Sequence, residues 1–278
     1  MFIKNLSAVS LLILICTLSA AAQFTRVVTK SDKFDFGAGG TVSITGAPNG
    51  SIHVEPSTRN EIEINAEIKL SAPTEADLGL LEKVTGFLLN EGVGNVAINS
   101  VGTNDSKYLK QTMKKFPKTL LNLPFRIDYV IKVPRYCDLQ IDNGSGDITV
   151  SGIEGNLRIN SIESNTRLDL VGGGVNATLQ KGSVRVSMPE RSWRGNGIDI
   201  ALATGDMDVY MPVMLSAELD ATILRTGKIE NNLLDLKPRI RSVKFTEQNI
   251  SAKAGSGGVP MKFTIGDGTL RLKTIGRE

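Results

Sequence analysis

Gly146-Asp147-Ile148-Thr149-Val150 reads as a glycine followed by a strict polar–apolar alternation, and the chain repeats this phrase. It returns as Gly155-Asn156-Leu157-Arg158-Ile159, Gly182-Ser183-Val184-Arg185-Val186 and Gly205-Asp206-Met207-Asp208-Val209. A shorter copy is Gly227-Lys228-Ile229-Glu230, and Gly268-Thr269-Leu270-Arg271-Leu272 closes the series. Alternation with period two means a strand with one buried and one wet face. Glycine-led strands at near-regular spacing mean stacked β units that share a core. Taking one copy per coil, starts fall at Gly146, Asn165, Gly182, Gly205 and Gly227, in steps of 19, 17, 23 and 22 residues. Gly268 follows 41 residues after Gly227, about two steps more. The expected fold is all-β, a parallel β-helix or β-solenoid-like stack of short strands. A β-sandwich also has short strands and frequent turns and is the alternative. The stack is preferred because the phrase recurs in kind and not only in spacing.

Before the repeats the same alternation is less regular. Glu61 to Leu70 alternates over ten residues, and Phe125 to Val133 alternates up to Pro134. Between them, Thr74 is a good helix N-cap, Glu75 and Asp77 load the first turn, and Leu78, Leu81, Val84 and Leu88 fall near helical spacing. One helix is expected over 74–90, capping an end of the stack, where open strand edges need cover. Residues 104–124 carry Lys107, Lys110, Lys114, Lys115 and Lys118 and read as a solvated insertion. The expected division is a signal peptide (1–22), an N-terminal β region (23–134) and the glycine-punctuated repeats (135–278), the last two continuous.

The signal peptide rests on Lys4, the apolar run from Leu6 to Leu18 and the small residues Ala20-Ala21-Ala22, which place cleavage before Gln23. No later segment reaches the roughly 20 apolar residues that span a bilayer. The expected product is exported, to the periplasm or the cell surface, without a transmembrane segment. Removing Lys4 lowers the formal net charge from +3 to +2, too little to suggest a nucleic-acid partner. Cys137 is then the only cysteine, so no intrachain disulfide forms, and its place in an alternating run makes it a buried small side chain.

His53 is the only histidine. Ser-His-Asp and Cys-His catalysis and histidine- or cysteine-based zinc sites are therefore not expected, and no catalytic residue, metal or cofactor is assigned. Chemistry that needs only carboxylates survives this filter. The acids that would serve a polysaccharide-active enzyme are Asp142, Asp147, Asp169, Asp199, Asp206 and Asp208, with Asp206 and Asp208 on one strand face. For ligand contact the candidates are Trp193, the only tryptophan, with Arg191 and Arg194 beside it.

The phrase Asn143-Gly144-Ser145-Gly146-Asp147-Ile148-Thr149-Val150-Ser151-Gly152, its echoes at Gly205 and Gly227, and the strand-ending Val133-Pro134 and Met211-Pro212 resemble the bacterial putative-adhesin β-solenoid family. The resemblance is best over 130–230. It implies a right-handed stack of strands outside the cytoplasm and supplies no catalytic residues. The functional expectation is a non-enzymatic cell-envelope binding, adhesin-like or scaffold module whose partner is an envelope protein or a surface glycan. The alternative is a polysaccharide-active enzyme on the same scaffold.

Overall fold

The computed structural model describes residues 23–113, 115–190, 193–233 and 236–275. The signal segment lies outside them. The described chain is mostly β, with 16 strands hydrogen-bonded into a single sheet. The first seven strands are β1 (Phe24–Asp35), β2 (Thr41–Thr45), β3 (Ile52–Ser57), β4 (Glu61–Ala72), β5 (Gly86–Gly92), β6 (Asn95–Val101) and β7 (Phe125–Pro134). Then come β8 (Asp138–Ser145), β9 (Ile148–Ser151), β10 (Glu154–Asp169), β11 (Gly172–Ser187) and β12 (Gly197–Met211). The last four are β13 (Ala217–Asn231), β14 (Lys237–Pro238), β15 (Asn249–Ala254) and β16 (Val259–Thr274).

The repeats pair in parallel. Leu139 of β8 stands beside Leu157 of β10, which stands beside Val175 of β11, two steps of 18 residues. The first half of β10 pairs with β8 and its second half with β9, so each long strand bends in the middle and serves two strand rows. Apolar residues from both halves enter one core: Leu157 and Ile159 from the first half of β10, Leu168 from the second, with Val184, Val186, Met207, Val209, Leu270 and Leu272 in the same rows. Burying each such side chain contributes about 1.5–3 kcal/mol. Asparagines mark the same step on the wet face. Asn156, Asn160 and Asn165 each donate Nδ2–H to an aspartate 18 residues earlier, Asp138 (3.1 Å), Asp142 (2.7 Å) and Asp147 (3.1 Å). These bonds repeat only in one register, so they help to fix it.

The bend explains the glycines. Gly182, Gly205, Gly268 and Gly227 occupy neighbouring strands at the same level. Gly205 has φ +137°, and a Cβ there would sit 1.7 Å from the carbonyl oxygen of Gly182. A Cβ on Gly268 would meet the Gly205 oxygen at 1.8 Å in the same way. Only glycine permits both the positive φ and the approach of one backbone onto the next.

The spatial order differs from a simple count of copies. β16 lies between β12 and β13, so Gly268 stands next to Gly205 and Gly227 and not two coils beyond them. This places the C-terminal strand where both of its edges are paired. β13, left outside, is closed by antiparallel β15 and the two-residue β14. A short terminal strand blunts the edge against further pairing.

Two helical expectations are corrected. The helix over 74–90 is shorter: α1 spans Glu75–Val84, with Thr74 Oγ1 accepting from Asp77 N at 3.1 Å. β-branched Thr85 and Gly86 end it, and 86–92 instead forms β5 against β6, where Leu89 faces Ile98. Strand pairing there satisfies the backbone and overrides the leucine spacing. The lysine-rich insertion contains a second helix, α2 (Ser106–Thr112), capped by Asp105, and a 3-10 turn over Lys118–Leu120. The phrase Asp-Ser-Lys-Tyr-Leu carried that N-cap signal, outweighed by the surrounding lysines.

α1 covers the other edge. Its buried Leu78, Leu81 and Val84 pack onto β4 and β1. Arg26 of β1 pairs with Glu75 and with Glu82 (2.7 Å), and Lys30 Nζ donates to Thr85 O (2.8 Å) at the helix C-terminus. A lysine turned inward on an outermost strand also discourages a further strand from joining it.

Candidate functional site

A groove of about 770 Å³ lies between the repeat strands and the segment that leads into α2. One wall is built by β8, β10 and β11 just before their bends, and contributes Asp142, Asn160, Ile162, Thr178 and Gln180. The other wall is the segment that leads into α2, including Asn104, Asp105, Ser106 and Lys107. The parallel register brings residues 18 apart side by side, so three neighbouring strands present polar side chains to one trough.

The walls are rigid by their own bonds. Asn160 Nδ2 donates to Asp142 Oδ1 at 2.7 Å. Asn143, 7% exposed, donates Nδ2–H to Gly146 O at 3.2 Å, while its Oδ1 is buried without a partner among the described residues. Thr103 Oγ1 donates to Leu123 O at 2.6 Å and ties the opposite wall to the strand that follows. Asp105 Oδ1 accepts from Lys107 N (3.0 Å) and Tyr108 N (2.9 Å). Thr178, Gln180 and Ser106 are exposed and have no side-chain hydrogen bond among the described residues. Ile162, 56% exposed, adds one apolar surface. The lining charges are Asp105 and Asp142 against Lys107, so among its polar groups neutral amides and hydroxyls outnumber charges, beside the apolar Ala47, Pro48, Phe125 and Ile162.

Of the residues expected to touch a ligand, Trp193 and Arg194 do not line this groove. Trp193 is 8% exposed and packs in the core, with Nε1 unpartnered among the described residues. Contact with a ligand would require the indole to leave that core. Arg194 is exposed, and its carbonyl accepts from Gly173 N at 3.1 Å. Arg191 falls outside the described residues.

The six candidate acids each have a structural partner. Asp142 and Asp147 hold asparagines, Asp169 pairs with Arg167 (2.9 Å), and Asp199 with Lys262 (3.5 Å). Asp206 and Asp208 do share one face, as alternation requires. Arg271 lies between them, 3.2 Å from Asp206 and 3.9 Å from Asp208, and reaches Glu230 at 3.2 Å. Lys273 Nζ stands 2.9 Å from Asp208 Oδ1, an ion pair outside hydrogen-bonding angle. Tyr210 stacks beside them under Arg185, at 4.5 Å from ring centroid to guanidinium. Among the described residues no group of three or more His, Cys, Asp and Glu side chains is placed to hold a metal ion. His53 sits on the wet face, 3.5 Å from Glu55.

Two buried groups are held neutral by their surroundings. Cys137 is 2% exposed, and burial, with Asp138 nearby, pushes its thiol up to about 12. Burial raises Tyr129 to about 12 against the opposing effect of its 2.8 Å bond with Ser100.

No protein-family model matches the chain, and no curated protein matches it. Among solved structures it is similar to a putative cell adhesion protein from Clostridium sporogenes, at 11% identity over 90% of this chain and 100% of that one, with a TM-score of 0.44. It is similar to a putative adhesin from Bacteroides fragilis at 10% identity, over 90% and 97% of the two chains, with a TM-score of 0.41. A putative lipid binding protein from Parabacteroides distasonis aligns at 10% identity over 89% and 96%, with a TM-score of 0.23. No helix among the described residues is long and apolar enough to cross a membrane.

Proposed function

We propose that the protein is an exported, non-enzymatic binding module of the cell envelope that takes a surface glycan in the groove between the repeat strands and α2. The observation that carries this reading is the groove's lining of neutral amides and hydroxyls from three successive coils. Amide and hydroxyl side chains match the donor and acceptor pairs of sugar hydroxyls, and Ile162 offers the apolar patch that a sugar ring face needs. Export rests on the segment 1–22. The right-handed solenoid architecture rests on the 18-residue parallel step and on the preferred hand of parallel crossover connections.

The test is a glycan array followed by titration calorimetry on the purified mature chain. The expected result is saturable binding to a class of neutral polysaccharide, weakened at least tenfold by Gln180→Ala and by Ile162→Arg without loss of melting temperature. Wild-type and variant chains that retain the same glycans equally would overturn the assignment of the groove. Protease accessibility on intact cells, with an epitope after Glu278, separates a surface position from a periplasmic one.

A further inference from the structure

A second cavity, of about 340 Å³, opens at the turn between β12 and β13, away from the groove. Its wall is apolar: Met211, Met214, Leu215, Leu233, Leu236 and Ala254. No charged side chain is among the described residues that line it, and the only hydroxyls are Ser216 and Thr274. Ser216 already accepts a bond from Ser256 at 3.2 Å. Local chemistry creates the space. Pro212 ends β12 immediately after Met211, and Gly255, at φ +55°, turns the chain away after Ala254, so two strand ends diverge. The inner wall is buried, with Met211 at 0% and Leu215 and Ala254 at 7% exposure. At the mouth, Val213 and Met214 stand 76% and 86% exposed.

We propose that this pocket binds one alkyl chain of a free single-chain amphiphile, a fatty acid. A pocket walled by methyl and thioether groups leaves the hydrogen bonds of a sugar or the charge of an ion unsatisfied, whereas methylenes lose nothing by entering it. Its volume is near the lower end of the roughly 300–1,000 Å³ found for ligand cavities, room for one chain and not two. Met211 and Met214, unbranched and polarizable, can follow the bends of such a chain. No cation is among the described residues that line the pocket, so the carboxylate is placed at the mouth in water. Val213 and Met214 then cover the first methylenes instead of facing solvent.

The test is titration calorimetry of the full mature chain with octanoate, decanoate and dodecanoate below their micelle concentrations. The expected result is one-to-one binding that tightens by about fourfold for each added methylene until the cavity is full. Met214→Gln and Leu236→Gln should each weaken dodecanoate binding at least tenfold. Met214 is a surface residue, so its variant keeps the wild-type melting curve, and a loss of binding there reports on the pocket. No saturable binding, an affinity independent of chain length, or unchanged binding by both variants would overturn the proposal. So would co-sedimentation with phosphatidylglycerol vesicles, abolished by Met214→Gln, in a protein that does not bind the free acids. Gln180→Ala leaves alkyl binding unchanged, which keeps the outcome separate from that of the groove.

Discussion

Gly205→Ala is the substitution that best tests the column of glycines at the bend. The new methyl would sit 1.7 Å from the Gly182 oxygen, and φ at this position is +137°. Holding a non-glycine residue at so large a positive φ costs about 1–3 kcal/mol. Relieving the overlap means shifting backbone in a packed interior, a further 1–3 kcal/mol by analogy with overpacked cores. The sum, about 2–6 kcal/mol, is a large share of the roughly 5–15 kcal/mol that holds a domain folded. Relief is difficult because Gly268 leans on Gly205 from the other side, 1.8 Å from its oxygen to the virtual Cβ. Gly258→Ala is the control: φ is +126°, but nothing lies within 4 Å of the added methyl, so only the conformational cost applies. Thermal melts followed by far-UV circular dichroism should show a fall of roughly 5–15 °C for Gly205→Ala and a smaller one for Gly258→Ala. Equal losses for the two would refute the argument that close backbone approach, and not φ alone, demands glycine in the column.

Three further outcomes follow from single interactions. Burial raises the Asp128 carboxyl, but Arg126 (2.7 Å) and Ser51 outweigh it and bring the group down to about 2, below its usual value. The stabilisation is therefore present above about pH 4 and is lost as pH falls toward 2, and Asp128→Asn should remove about 2 kcal/mol at neutral pH and flatten the acid limb of a urea-denaturation series. Cys137, with its thiol pushed up to about 12, should resist thiol-specific reagents in the native protein and react fully in denaturant; immediate stoichiometric labelling at neutral pH would contradict its burial. Lys30→Met removes the 2.8 Å bond to Thr85 O and should cost about 1–2 kcal/mol, with faster proteolysis around α1 as the local readout.

The groove between the repeat strands and α2 shows how a concavity can be assembled from residues that carry no motif. Asn160, Thr178 and Gln180 are ordinary wet-face positions of three strands, and only the 18-residue register sets Asp142, Asn160 and Thr178 in one row. The opposite wall comes from an insertion whose lysines read as solvated chain, although Asp105 before Ser106 is a recognisable N-cap. Trp193 stood out because it is the only tryptophan, yet rarity does not separate a ligand platform from a large core side chain. Its 8% exposure makes it a core residue in this fold.

The strands of the repeats, the faces they bury and the need for glycine between their halves are all legible in the local pattern of residues. These are local properties: period two assigns each side chain to a face, and a positive φ excludes a Cβ. Which strands are neighbours is settled by long-range packing. The phrases that open at Gly205, Gly227 and Gly268 are nearly equivalent as pairing partners, so the local pattern cannot order them. The order is set by how the connections run and by which arrangement leaves the fewest unpaired edges, and this places β16 between β12 and β13. The same cause shortened α1. Residues 86–92 have helical leucine spacing, but they lie beside β6, which offers backbone partners along one side of the segment and places Leu89 opposite Ile98.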